Sequence, residues 1–220
     1  MKTSAFKAVF TAKEKTPWIW NPEDGTRSVF SFVENRNELN LELEPLHSLL
    51  LVFEPGINKP GKPLKKPGEK ILTIEGPWEA TFKHVNGQTF TRSFQKPEQF
   101  GTSPDAQLNT FAGTVTYKNI FSLNQSPKWL QLENVHKGVT GVFLNDKKTG
   151  TTWYGKPVFN IENAVKNGEN LLEIKVTTVL SNYVMSLENN PTAKRWTRGY
   201  TNNPVGPEGA IHLITPKYLE

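Results

Sequence analysis

The sequence predicts an all-β protein, a small β unit followed by a larger β-sandwich, and three observations carry that expectation. First, short stretches alternate apolar and polar residues with the period of a half-buried strand, as where Leu172, Ile174 and Val176 alternate with Glu173, Lys175 and Thr177. Second, turn-forming pairs separate such stretches. Asn86-Gly87 lies between Phe82 and Phe90, and Asn145-Asp146 follows Leu144; both tolerate the left-handed backbone that a tight hairpin needs. Third, residues 55–69, PGINKPGKPLKKPGE, are rich in proline, glycine and lysine. No regular element is expected there, so the stretch divides the chain into a β unit over 1–54, a linker over 55–69 and a domain over 70–218.

In chain order, Ala5 to Phe10 and Trp18 to Trp20 read as strands, the second ending in the turn Asn21-Pro22-Glu23-Asp24-Gly25. Val29, Phe30 and Phe32 begin a third strand, and Leu39, Leu41 and Leu43 alternate with polar residues in a fourth. Leu49 to Phe53 is continuously apolar, the pattern of a fully buried strand. In the second domain, Ile71 to Ile74, Glu79 to Lys83 and Phe111 to Leu123 are expected strands, with 95–110 as loop. Leu130 and Leu132, then Val142 and Leu144, then 157–161, follow as further strands. Glu162 to Lys166 suits one helical turn stopped by Asn167-Gly168, and the long strand through Leu172 comes next. Residues 181–209 leave the strand rhythm, with a short helix expected near 182–190, stopped by Asn189-Asn190-Pro191, and polar loop beyond it; Ala210 to Ile214 closes the fold.

The stretch 130–178 also resembles a known family. Its Gly138, Val142, Leu144, Asn145, Gly150, Trp153, Pro157, Asn160, Ile161, Asn167, Gly168, Asn170, Leu172, Glu173, Ile174 and Val176 are similar to the sugar-binding jelly roll of glycoside hydrolase family 2. They look closer still to the C-terminal domain of family 106-type α-L-rhamnosidases. Pro17, Trp18, Trp20 and the turn after them, with Gly76-Pro77-Trp78, extend the resemblance over nearly the whole chain. It implies a galactose-binding-like jelly roll over 70–218, preceded by the C-terminal part of another sandwich. It also implies a parent protein that is periplasmic or extracellular, with its catalytic carboxylates in an upstream domain that this sequence does not contain. Many members carry Asn-Arg where this chain has Asn182-Tyr183, so no role of that arginine is transferred.

Composition narrows the function classes. Hydrophobic residues make up 36% and charged residues 21%, and no apolar run is long enough to span a membrane. The opening MKTSAFKAVFTAKEK has no signal-peptide core, and there are no cysteines for disulfides or thiolate metal sites. Net charge is +5, part of it from the linker lysines, and no nucleic-acid-binding motif accompanies it. Glycoside hydrolysis generally uses two carboxylates about 5 to 10 Å apart. The aspartates Asp24, Asp105 and Asp146 all fall in expected turns or loops, and no catalytic residue is assigned. His47, His84, His136 and His212 lack metal-ligand spacing. A structural calcium ion, common in such jelly rolls, is an expectation with no ligands assigned.

Sugar recognition leaves a clearer trace. The apolar faces of sugars stack on aromatic rings while arginine and amide groups bind hydroxyls. Two clusters suit this: Trp153-Tyr154, and Arg195-Trp196 with Arg198 and Tyr200. Each tryptophan has a plainer alternative, Trp153 capping the sandwich edge or packing on the neighbouring domain, and Trp196 docking its loop onto the sheet. Trp78 and Trp129 are expected in the core. The function expected is that of a non-catalytic accessory region of a glycoside hydrolase, supporting the catalytic domain and contacting carbohydrate. The alternative is an autonomous carbohydrate-binding module.

Overall fold

The computed structural model describes residues 4–12, 14–22, 25–30, 38–43, 47–56, 66–125 and 127–217. They divide into two compact units. One comprises Met1–Lys66, Tyr154–Lys156 and Lys217–Glu220, the other Pro67–Trp153 and Pro157–Pro216.

The first unit holds strands β1 (Ser4–Val9), β2 (Lys15–Trp20), β3 (Arg27–Val29), β4 (Glu38–Leu43) and β5 (Leu50–Pro55). β1 pairs with β4, and β2 lies between β3 and β5. The alternation of Leu39 and Leu41 places both in a small core with Phe30, against which Ala8, Ile19, Leu51 and Phe53 pack from the other strands. The turn after Trp20 closes with Asn21 N donating to Thr26 O at 2.8 Å and Gly25 at a φ of +72°; Glu23, Asp24 and Phe32 lie outside the described residues. β5 departs from expectation. It borders its sheet rather than lying within it, so Leu51 and Phe53 pack inward while Leu50 stays exposed. A continuous apolar run signals burial on both faces, and here one face suffices to hold the strand.

The second unit is a sandwich of two antiparallel sheets. Its strands are β6 (Lys66–Thr73), β7 (Trp78–His84), β8 (Thr89–Phe94), β9 (Gly113–Leu123), β10 (Trp129–Val135), β11 (Val139–Leu144), β12 (Lys147–Thr152), β13 (Val158–Asn160), β14 (Gly168–Thr177) and β15 (Pro207–Lys217). Three short helices interrupt them: α1 (Ala106–Asn109), α2 (Ser181–Ser186) and α3 (Pro191–Thr197). The six-stranded sheet runs β12-β11-β14-β9-β7-β8 and the four-stranded sheet β13-β10-β15-β6. Their inner faces share one core, with Leu130, Leu132, Ile211 and Leu213 from the smaller sheet meeting Ala80, Phe82, Val115, Tyr117, Val142, Leu144, Leu172, Ile174 and Val176 from the larger. Interleaving side chains from two inner faces is what defines a sandwich core.

Turn chemistry sets the register. Asn145 and Asp146 both adopt positive φ, +51° and +65°, as a two-residue hairpin of the favoured twist requires. Ala164 N and Val165 N both donate to Ile161 O at 2.9 Å, giving the expected single helical turn. A bulge interrupts the pairing of β10 with β15, where Gly209 and Ala210 oppose Glu133. Gly209 takes a φ of +90°, and the Glu133 carboxylate accepts the Ala210 N–H at 2.8 Å, so the amide freed from the ladder keeps a partner.

Two more expectations are corrected. Residues 55–69 were expected to hold no regular element. Positions 57–65 lie outside the described residues, but β6 begins at Lys66 and carries Pro67 along the border of the four-stranded sheet. Proline lacks only the amide donor, so a border strand accommodates it. Trp78 is fully buried as expected, whereas Trp129 is only half-buried.

Candidate functional site

The segment between β14 and β15 gathers the features of a recognition loop. It leaves the sheet under control, because Thr178 N donates to Gly113 O and Gly113 N donates to the Thr178 hydroxyl, both at 2.9 Å. Its two ends are then clasped by one side chain. Asn182 is 1% exposed. Its amide nitrogen donates to Asn203 O at 2.9 Å and to Gly101 O at 3.1 Å, while its carbonyl oxygen accepts Asn203 N at 3.0 Å. The reciprocal pair between Asn182 and Asn203 imitates a β-bridge and closes residues 183–202 into a compact loop. Gly101 is required at the contact, because a Cβ there would stand 1.9 Å from Asn203 O.

Aromatic packing stiffens the base. Phe100, Phe111 and Phe82 meet edge to face with centroids 5.1 to 5.6 Å apart, and Phe90 stacks on Phe82 at 4.8 Å. Phe100 N donates to Val205 O at 3.0 Å, and the Tyr183 ring meets His84 edge-on at 4.8 Å.

α3 corrects the sequence reading, which placed polar loop after Asn190. Asn190-Pro191 does stop the preceding turn, yet it also starts a helix. The Asn190 side chain accepts Ala193 N at 3.0 Å as an N-cap, and Pro191 occupies the first turn. That signal was present in the residues Asn-Pro-Thr-Ala. Ala193 is buried, and the Thr197 hydroxyl donates to Ala193 O at 2.9 Å, which defines the inward face. The helix ends in a turn with Tyr200 N on Thr197 O at 3.0 Å and Gly199 at a φ of +80°.

What α3 turns outward is unusual for an isolated surface. Trp196 is 73% exposed and Tyr200 72%, and Lys194, Arg195 and Arg198 are exposed beside them. The reading in which Trp196 docks the loop onto the sheet is therefore overturned. Trp153, 54% exposed, follows β12 in the second unit, while Tyr154 groups with the first unit. The structure thus places Arg195 and Trp196 in α3 and Arg198 at its C-cap, all exposed, and does not unite Trp153 with Tyr154 within one unit. Asn182 was the member that sequence reading missed as an anchor, since its partners lie far along the chain.

Elsewhere several titratable groups are held in structural bonds. Asp105 caps α1 by accepting Gln107 N at 2.8 Å and meets Arg92 at 3.3 Å; the backbone hydrogen bond first, then Arg92, hold its carboxyl below the usual range. Glu173 is lowered chiefly by its hydrogen bond with Lys118, at 2.7 Å. Burial, with the charge of Glu98 adding to it, pushes the Tyr117 phenol far above its ordinary value, so it stays protonated in the core. Among the described residues no group of three or more His, Asp or Glu side chains gathers to hold a metal ion, which leaves the expected calcium without a side-chain ligand set there. No helix among them is long and apolar enough to cross a membrane.

His212 supplies a pH prediction. It is nearly buried beside the Thr73 hydroxyl, 3.1 Å from Nδ1, and burial followed by the charge of Lys70 lowers its pKa, with Glu133 opposing. The folded state therefore binds this proton less readily than the unfolded chain, in which histidine titrates near about 6.5. Stability is held above that value and falls as pH drops below it toward the folded pKa. Urea midpoints measured between neutral pH and mildly acidic pH are expected to decline, and His212→Gln is expected to flatten that decline.

The fold defines an all-β sandwich protein, and its loop between β14 and β15 exposes aromatic and arginine side chains. A solved structure agrees with the fold. No protein-family model matches the sequence. Over 125 residues, 54% of this chain, the sequence is 27% identical to a Formosa agariphila protein named "Putative beta-glucuronidase", and the match takes in 11% of that protein. The structure is similar to a rhamnosidase from Novosphingobium sp. PP1Y over 96% of this chain and 21% of the other, at a TM-score of 0.80 and 24% identity. A β-glucuronidase from Ruminococcus gnavus overlaps 66% of this chain and 29% of its own at a TM-score of 0.48 and 17% identity. The rhamnosidase likeness is one of fold. The relatives are glycoside hydrolases by name, and this chain spans only 11% to 29% of their lengths.

Proposed function

We propose that this chain is a non-catalytic accessory region of a glycoside hydrolase, of the family 106-type rhamnosidase kind, which supports a catalytic domain and contacts carbohydrate through the α3 loop. The observation that carries the contact is the outward presentation of Trp196, Tyr200, Arg195 and Arg198 on a loop whose ends are locked by Asn182. Exposed aromatic rings on a fixed scaffold match the requirement of sugar C–H faces. The similarity to about a fifth of a rhamnosidase supports the accessory part. The exposure of the loop also favours a second reading, an autonomous carbohydrate-binding module.

Three measurements on the purified chain test this. Aryl rhamnoside and aryl glucuronide are expected to remain uncleaved, and turnover would overturn the non-catalytic reading. A glycan array followed by calorimetry is expected to find weak binding that Trp196→Ala removes and Trp153→Ala retains. Tight, saturable binding would favour the autonomous module, and absence of binding would remove the carbohydrate contact.

A further inference from the structure

We infer that the α3 loop selects an anionic glycan, one carrying uronate carboxylates or sulfate esters; this rests on the carbohydrate contact proposed above. The argument is charge complementarity at a displayed surface. The other arginines among the described residues are matched to acid, Arg27 with Glu54 at 2.8 Å and Arg92 with Asp105 at 3.3 Å. Arg195 and Arg198 have no such partner among the described residues, and neither does Lys194. Glu188 is the sole carboxylate between 181 and 207, it is exposed, and it lies outside α3. Two guanidinium groups and an ammonium thus lie within seven residues of sequence with two exposed aromatic rings, and no carboxylate among the described residues pairs with them.

Each side chain then has a separate task. The ring faces of Trp196 and Tyr200 suit the apolar side of a pyranose. A guanidinium presents paired N–H donors that match two oxygens of a carboxylate or sulfate, a geometry lysine cannot reproduce. A neutral sugar would use the rings and leave the arginines idle. A single-stranded nucleic acid also pairs aromatic stacking with cations, but it needs a basic groove that follows its backbone. Within 181–207 the lysines and arginines are Lys194, Arg195 and Arg198 alone, a span of five residues, and the neighbouring Lys137 ammonium is bonded to the side-chain amide oxygen of Asn203 at 2.7 Å.

The test is calorimetry on the whole chain at physiological ionic strength. The probes are an oligogalacturonate, a sulfated oligogalactan and a neutral oligogalactan of matched length, with a single-stranded DNA alongside. One acidic sugar is expected to bind at least about tenfold tighter than the neutral one, and the tighter of the two names the anion. Arg195→Ala with Arg198→Ala is expected to remove about that factor for the acidic sugar and to change the neutral one less than about twofold, while lysine at both positions restores only part of it. Trp196→Ala is expected to weaken both. All these side chains are exposed, and an unchanged near-ultraviolet circular dichroism spectrum establishes that each variant is folded. Equal affinity for acidic and neutral sugars, still dependent on Trp196, overturns the anionic selection and leaves the carbohydrate contact standing. No sugar binding at all overturns both. DNA binding tighter than either glycan overturns the inference in favour of a nucleic-acid surface.

Discussion

Asn170→Ala is expected to destabilise the second unit by about 3 kcal/mol, more than a surface substitution of the same chemistry by severalfold. Asn170 is fully buried at the start of β14. Its amide nitrogen donates to Lys166 O at 2.8 Å and Gly168 O at 2.9 Å, holding the turn that feeds the strand. Its oxygen accepts Lys166 N at 3.0 Å and the Asn145 amide at 2.8 Å. Asn145 in turn donates to Ala164 O at 2.9 Å and accepts Leu171 N at 3.1 Å. Two asparagines therefore tie the β11–β12 hairpin turn to the helical turn before β14. Alanine would leave several part-buried polar groups without their partners, each costing up to about 1 to 3 kcal/mol, and water entering the gap would recover part of the sum. Urea unfolding checks the value, with Asn167→Ala as the exposed neighbour expected to stay within about 0.5 kcal/mol of the parent. A cost for Asn170→Ala below about 1 kcal/mol would mean that the turn does not depend on this knot.

The knot also marks where sequence reading succeeded and where it stopped. Asn145-Asp146 was legible as a hairpin turn because the signal is local: two residues that tolerate positive φ between apolar strands. Leu172, Ile174 and Val176 were legible because one face of β14 is buried throughout. Ile71 to Ile74 was legible as a strand, but the start of β6 at Lys66 was missed since proline and lysine dominate it, and the position of a strand at the border of a sheet is a tertiary fact. α3 was missed because Asn190-Pro191 was taken only as a stop, although the same pair starts a helix when alanine and basic residues follow. The exposure of Trp196 and the paired state of each arginine depend on what the folded chain leaves uncovered, which no local pattern encodes. The residue types of the proposed recognition surface were readable, and their exposure was not.

Asn182→Ala is expected to release the recognition loop while leaving most of the sandwich intact. The side chain bonds to Gly101 O and to both backbone groups of Asn203, and its loss would unclasp 183–202 at the base. A local cost of about 2 to 3 kcal/mol corresponds to roughly 30- to 150-fold faster amide exchange in that segment. The sandwich core draws little on α2 and α3, with Val205 at the far end of the segment as its nearest contribution, so amides of β9 and β14 are expected to keep their protection. Gly101→Ala attacks the same clasp from the other side, since the added Cβ would collide with Asn203 O, and it should reproduce the exchange pattern. The functional consequence follows from preorganisation: a loop that must be ordered on binding loses affinity even when every contacting side chain is unchanged. Both variants are therefore expected to weaken any Trp196-dependent ligand, although neither residue reaches the surface that α3 presents. Exchange that accelerates equally in the loop and in β14 would show instead that the clasp belongs to the cooperative core, and the loop would then be a structural strap rather than a separately held recognition element.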